Sequence, residues 1–329
     1  MLKTRNDWLR AAQLYLSSLG VYAAFLLIVR MTPYFREWML PNAQLALLWV
    51  YLVYAAAAPV YYLLNADGSS TNKPLLALRY LGRLLARRGA PPFGRPTPEE
   101  KTALLFLLVK FFYAPIMANF FVRNATGLCA VIAFPPESGV LAEWYSVALM
   151  TLVTTDTLIF FTGYICEFRK LDNMVRSVEP TLFGWLVAVM CYPPFATWVA
   201  GVVGWAADDF VVFWTPFWTQ VFRAVLILLF VIYVWASVAL GFKAANLCHR
   251  GIVDRFPYSV IRHPAYISKN LFWWITLLPV LSVRGVACMV FWSLVYYFRA
   301  ETEEAHLSKD PVYVEYCKRV PYKFIPGLW

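Results

Sequence analysis

The chain has 329 residues, 61% of them apolar or aromatic, and only 15% are charged, with 29 Lys+Arg against 19 Asp+Glu. A soluble domain carries roughly 25% charged residues, so this chain lacks the polar surface to face water and reads as an all-α integral membrane protein. The composition excludes a soluble dinucleotide-binding enzyme, a disulfide scaffold and a disordered chain. The net charge of +10 would suggest nucleic acid in a soluble protein, but here the basic residues sit in short loops between apolar runs, and no nucleic-acid partner is expected.

The N-terminal MLKTRNDWLR is basic. The apolar run behind it is long enough to span and shows no small-residue cleavage site, so it reads as a retained first helix. Apolar runs near 12–30, 43–64, 102–122, 141–162, 182–203 and 221–240 each reach the roughly 20 residues that cross a bilayer. Two shorter runs near 267–283 and 285–298, parted by Arg284-Gly285, read as a tight helical hairpin. The expectation is therefore about eight transmembrane helices, a six-helix region over 1–240, and a C-terminal region over 241–329 holding the hairpin and a cytosolic tail. Of the 29 basic residues, 23 fall on the N-terminal side of this topology, five on the other, and Lys110 within a span. Both termini are expected in the cytoplasm.

Between the second and third spans, KPLLALRYLGRLLARRG places Arg79, Arg83 and Arg87 at i, i+4 spacing. A basic interfacial helix near 73–88, lying on anionic lipid, is expected there, followed by a Pro-rich linker. The six Cys (129, 166, 191, 248, 288, 317) form no C-x-x-C pair and no cluster with His, so no metal site is expected.

Lys110 and Asp156 fall within the third and fourth spans, where ionisable groups are by default functional; they either pair with each other or hold a polar substrate head. Tyr192-Pro193-Pro194-Phe195 interrupts the fifth span, as a kink or a cavity wall. Tyr192, with Asn270 and Trp274 of the hairpin, joins Lys110 and Asp156 as a candidate substrate contact. The loop GYICEFRKLDNMVRSVEP carries Glu167, Arg169, Asp172 and Arg176 and reads as a solvated loop or a cover over a site.

The last 90 residues concentrate polar groups at one membrane face. Pro264 suits a first helical position and leaves His263 at the cap, where helix dipoles attract an anion. Tyr266 lies 18 residues before Arg284 and Glu303 lies 19 after it. Two antiparallel helices rising about 1.5 Å per residue thus return His263, Tyr266, Arg299, Glu303 and Glu304 to one end of the hairpin. Such a pocket, with both signs of charge, suits a zwitterionic amino-acid tail.

RHPAY, followed by Arg299, Glu303, Glu304 and Leu307 in R-x-x-x-E-E-x-x-L, then Tyr313 and Tyr316 and a terminal V-P…I-P, resembles the isoprenylcysteine carboxyl methyltransferase family; Gly251 and Pro257-Tyr258 fit its approach to the RHP. The resemblance covers roughly residues 241–329. It implies S-adenosylmethionine as cofactor, with His263, Tyr266, Arg299, Glu303 and Glu304 binding it and one of the two Glu holding its amino group. It also implies catalytic roles for Arg262, His263 and Arg299. The acceptor would be a lipidic or prenylated molecule entering from the bilayer, with O-methylation of a carboxylate at the cytosolic face. A prokaryotic inner membrane fits the compact chain better than the endoplasmic reticulum. Two alternatives are an NADPH-dependent sterol-type reductase, suggested by Val320-Pro321-Tyr322…Pro326…Trp329, and a transporter using Lys110 and Asp156.

Overall fold

The computed structural model describes residues 4–67, 70–86, 94–134 and 143–328. Lys3, Arg87, Arg88, the first residues of the Pro-rich linker and Trp329, all used in the expectations above, lie outside the described residues. The chain divides into two compact units, Met1–Val122 and Arg123–Trp329.

The first unit contains α1 (Arg5–Met31), α2 (Pro33–Trp38), α3 (Pro41–Asn65), α4 (Lys73–Ala86) and most of α5 (Pro98–Ala133). Thr4 and Asp7 start α1 by bonding each other's backbone amides, a capping box. α1 packs on α3 and α4. Asn72 fastens that contact, its amide donating to the Leu14 carbonyl, Ser18 Oγ and Tyr62 Oη at 2.9, 2.9 and 3.0 Å. α4 buries Pro74 and Ala77, leaves Leu78, Leu81 and Leu85 exposed, and pairs Arg83 with Glu100 at 2.5 Å. Lys110 sits with its ammonium 5.0 Å from the Tyr22 ring centre and 5.3 Å from that of Phe106.

The second unit contains α6 (Trp144–Ile165), β1 (Ser177–Val178), α7 (Leu182–Val189), α8 (Phe195–Val203), α9 (Pro216–Leu240), β2 (Cys248–His249), α10 (Pro264–Leu277), α11 (Val283–Leu307) and α12 (Pro311–Arg319). α9 packs between α6 and α10, and α11 against α10 and α7. Tyr145, Leu226, Phe230, Phe272, Met289 and Tyr296 fill the core among these helices. β1 and β2 pair antiparallel, Ser177 opposite His249 and Val178 opposite Cys248, which ties the loop after α6 to the chain before α10.

Among the described residues, five helices are long and apolar enough to cross a membrane: α1, α3, α5, α6 and α9. The all-α membrane class holds, and five of the about eight expected helices meet this length and composition. The fifth expected span is two short helices, α7 and α8, because Pro193 and Pro194 cannot donate to the helical ladder. The seventh, α10, has 14 residues before a 3₁₀ turn at Leu278–Val280, and at about 1.5 Å per residue it falls short of a 30 Å core. α11 is longer than expected, running 25 residues from a Ser282 cap through the apolar stretch into the charged 299–307 segment.

Gly163 of α6 lies against backbone. A methyl group there would overlap the Ala244 carbonyl oxygen, so only glycine lets α6 approach the chain carrying Asn246. Gly163→Ala is expected to destabilise the second unit by ~2 kcal/mol or more, read as a lower midpoint in thermal unfolding with detergent-solubilised protein.

Candidate functional site

The hairpin returns the expected residues to one place. His263 stands at the N-cap position of α10, with Pro264 as the first helical residue. Its ring does not cap the helix: Nε2 lies 2.9 Å from Glu304 Oε1, and the ring stacks on Tyr266 with centroids 5.3 Å apart. Arg262 Nε donates to the same Glu304 oxygen at 2.9 Å, and Lys323 Nζ is 3.2 Å from Oε2. Arg262 also donates through Nη1 to the Val320 and Pro321 carbonyls at 3.0 and 2.7 Å. The backbone amides of Arg262 and His263 donate to the Tyr322 and Lys323 carbonyls, both at 3.0 Å. The RHP segment, the end of α11 and the tail after α12 thus form one knot around Glu304.

Burial alone would favour a neutral Glu304, but the hydrogen bonds and charges of His263 and Arg262 overcome it and hold the carboxyl at about 2. The pKa of Lys323 moves the opposite way, upward: desolvation opposes its charge, and Glu301 and Glu304 outweigh that.

Glu303 has a different environment. It lines a cavity and accepts a 2.8 Å hydrogen bond from Tyr266 Oη, whereas Glu304 lies outside the lining. Arg299, one turn earlier, is buried and sits 5.2 and 5.1 Å from the ring centres of Tyr266 and Tyr296. Its Nη2 donates to Asn246 Oδ1 at 2.9 Å. Asn246 Nδ2 in turn donates to Tyr164 Oη at 2.8 Å and to Tyr192 Oη at 3.1 Å. Among the described residues no carboxylate lies within ion-pair distance of Arg299. A buried guanidinium without an anion is costly, and this one faces the cavity.

The cavity encloses about 190 Å³, against ~10–15 Å³ for one water on the same measure, so it has room for a small molecule. Arg262, His263, Tyr266, Arg299 and Glu303 all line it, and Tyr192 joins them. The motif tyrosines contribute as well: Tyr313 and Tyr316 are buried in the lining, and Tyr316 Oη donates to the Tyr258 carbonyl at 2.8 Å. Gly251 lines it too, with φ of +97° and two cations beside it: a methyl there would stand 3.1 Å from Arg176 Nη2 and 3.3 Å from Lys243 Nζ.

The remaining candidates are placed differently. Asp156 is buried one layer behind the lining, accepting from Tyr233 Oη at 2.9 Å and Ser237 Oγ at 2.5 Å. Lys110 belongs to the first unit with Tyr22 and Phe106, so the two buried charges have separate partners. Asn270 and Trp274 join α10 to α11 through Ser293, Trp274 Nε1 donating to Ser293 Oγ at 3.0 Å and Ser293 Oγ to Asn270 Oδ1 at 2.8 Å; neither is in the lining.

The structure adds a wall that the sequence reading missed. The loop after α6 is not merely solvated: through the β1–β2 pair it brings Glu179 to the cavity opposite His249 and His306. His306 Nε2 lies 3.0 Å from Ser177 Oγ and its Nδ1 3.7 Å from Glu179 Oε2, while His249 Nε2 lies 3.2 Å from Asp310 Oδ2. Burial lowers the pKa of both histidines, and the neighbouring carboxylates only partly offset it. Among the described residues no group of three or more His, Cys, Asp or Glu is arranged to hold a metal ion.

Residues 219–310 match the model of the phospholipid methyltransferase family. No curated protein matches the chain, and no solved structure does. The matched stretch runs from α9 through α10 and α11 and contains the RHP segment and both glutamates, the motifs by which the sequence separates a methyltransferase from the reductase alternative. The C-terminal region is therefore similar to phospholipid methyltransferases over α9, α10 and α11.

Proposed function

We propose that the second unit is an S-adenosylmethionine-dependent methyltransferase that modifies the polar head of a membrane lipid at the cytosolic face. The observation that carries this reading is the composition of one cavity wall: a carboxylate, Glu303, held by Tyr266 Oη, and a buried guanidinium, Arg299, with no carboxylate within ion-pair distance among the described residues. That pair complements an amino-acid zwitterion, ammonium to Glu303 and carboxylate to Arg299. When bound, the cofactor supplies a methyl group on a cationic sulfur, so that transfer to a nucleophile leaves a neutral thioether.

The protein's part is positional. Tyr266 fixes Glu303 by its hydrogen bond, Asn246 fixes Arg299, and the aromatic rings of Tyr266 and Tyr296 bracket the guanidinium. Tyr192, Tyr233, Tyr266 and Tyr296 line the same cavity, and a bound ligand that displaces water from among them would feel every charge interaction inside more strongly. Holding acceptor, methyl carbon and sulfur in line is where most of the rate gain arises. His263 and Arg262, tied to Glu304, serve as the frame of the site.

Equilibrium binding of labelled S-adenosylmethionine to the purified chain in nanodiscs tests the reading. Saturable binding is expected, and Glu303→Gln and Tyr266→Phe should each weaken it about tenfold or more, ~1.4 kcal/mol. Absence of saturable binding, or variants that bind as the parent does, overturns it.

A further inference from the structure

α11 sets three cavity-lining groups in one stripe. Arg299, Glu303 and His306 follow one another at i, i+4 and i+7, within about 60° of each other around the helix, and all three line the cavity. The first two complement an amino-acid zwitterion. His306 lies further along the same face, about 10 Å from Arg299 by the helical rise, at the end of the cavity that Glu179 and His249 wall off.

Two buried polar atoms at that end have no hydrogen bond among the described residues. Glu179 is 5% exposed, and its Oε1 accepts from the Thr181 amide at 2.9 Å and from Thr181 Oγ1 at 2.5 Å. Its Oε2 lies 3.7 Å from His306 Nδ1, too far for a hydrogen bond, and Nδ1 has no partner of its own. The other ring nitrogen, Nε2, is 3.0 Å from Ser177 Oγ. Burial holds the ring's pKa below the ordinary 6.5, so with Ser177 donating to Nε2 the proton of the neutral ring stands on Nδ1. A carboxylate oxygen that accepts and a ring N–H that donates are thus set side by side. A hydroxyl satisfies both at once, donating to the first and accepting from the second. An aromatic amino group donates without accepting, and a carboxylate accepts without donating.

We infer that Glu179 and His306 form the subsite that reads the ribose hydroxyls of the methyl donor, which lies along α11 with its amino-acid end at Arg299 and Glu303. The inference rests on the methyl-donor reading of the cavity. Length supports it: eight bonds separate the carboxyl carbon of S-adenosylmethionine from its ribose O3′, and at about 1.2 Å of reach per bond the extended molecule covers ~10 Å, the advance from Arg299 to His306. Ser177 and Glu179 lie outside the stretch 219–310 that matches the family model. The nucleoside end of the site is therefore supplied by the loop after α6, and the matched segment alone leaves it incomplete.

Equilibrium binding to the full chain in nanodiscs tests the subsite without turnover. The probes are S-adenosylhomocysteine and adenosine, each compared with its 2′,3′-dideoxy form. The parent should bind each dideoxy form about tenfold or more weaker, the usual worth of a hydrogen bond to a charged group. Glu179→Gln keeps Oε1 for Thr181 and sets an N–H where Oε2 stood, and it should bring that ratio below about threefold. His306→Phe should lower the ratio as well, and it keeps the test open should Glu179→Gln fail to fold. Arg299→Gln, at the other end of the stripe, should weaken S-adenosylhomocysteine and leave the ratio unchanged.

Equal binding of the paired probes by the parent overturns the inference, as does a ratio that survives both Glu179→Gln and His306→Phe, or one that Arg299→Gln abolishes. In each of those cases binding of S-adenosylmethionine itself leaves the methyl-donor reading standing. Hydroxyl discrimination toward adenosine, with no saturable binding of S-adenosylmethionine, sinks that reading and keeps the nucleoside subsite. Binding of neither overturns both.

Discussion

Glu304→Ala is expected to destabilise the second unit by about 3–5 kcal/mol, because it strands the buried Arg262 guanidinium, removes the partner of His263 and leaves Lys323 with Glu301 alone. Arg262, His263 and Lys323 all converge on Glu304, and their side chains are only 12, 6 and 11% exposed. Thermal unfolding followed by circular dichroism should show the loss, and Glu304→Gln should recover only part of it, since an amide accepts hydrogen bonds but carries no charge. An unchanged midpoint for Glu304→Ala would remove Glu304 from the frame of the site and reopen its claim on the methyl donor.

The same residue fixes the sign of the acid response. Its carboxyl titrates at about 2 in the fold against 4.5 in an unperturbed chain. Its stabilising contribution, about 3 kcal/mol, is complete above 4.5 and disappears as the pH falls towards 2. His249 and His306 act earlier. Their pKa values lie below the ordinary 6.5 because burial disfavours the charged ring, so the stability they confer is present above 6.5 and is lost as the pH falls through their lowered values. Acid unfolding should therefore begin with the histidine wall and end with the Glu304 knot.

Arg299→Gln should behave in the opposite way. No carboxylate depends on Arg299 among the described residues, so its removal orphans no buried anion and the midpoint of unfolding should shift by less than ~1 kcal/mol. Catalysis should suffer heavily, on the order of 10²-fold in kcat/KM, the usual cost of deleting one preorganised charge from a dry site. Arg299→Lys should not restore it, because a compact ammonium cannot lie flat between the Tyr266 and Tyr296 rings while also reaching Asn246. A folded Arg299→Gln protein with parental turnover would show that the guanidinium faces the cavity without acting in it. Together the two substitutions separate frame from chemistry: Glu304 should move stability first, and Arg299 rate first.

The hairpin site was legible in the sequence because helices are regular. A spacing of 18 and 19 residues about Arg284 suffices to bring Tyr266 beside Glu303, and their 2.8 Å hydrogen bond bears that out. The same spacing could not divide the work between Glu303 and Glu304. That division depends on Lys323 and on the carbonyls of Val320 and Pro321, which arrive through an irregular tail with no periodicity to read. Glu179, Asn246, His249 and His306 were missed for a related reason: a two-residue antiparallel pair and the chain around it place them, and no hydrophobic pattern announces so short a pairing. Uninterrupted apolar runs returned as long helices, and the run that the sequence marks as interrupted at Pro193-Pro194 returned as two short ones, α7 and α8. Lys110 and Asp156 were rightly singled out as buried charges, but composition cannot name a partner, and Asp156 turned to Tyr233 and Ser237.

The β1–β2 pair has an evolutionary consequence. The wall it places is attached by main-chain atoms, with the Arg176 and Glu179 amides donating to the His249 and Leu247 carbonyls at 2.8 Å each. Any residue other than proline supplies such an amide, so the pairing asks nothing more of positions 176 and 179, whereas Ser177 is held by its hydroxyl on His306 and Val178 by its burial. Gly184 has no such latitude, because a methyl group there would run into the Glu179 side chain. Divergence along that strand is therefore limited by what its side chains touch and not by the main-chain pairing that holds the wall.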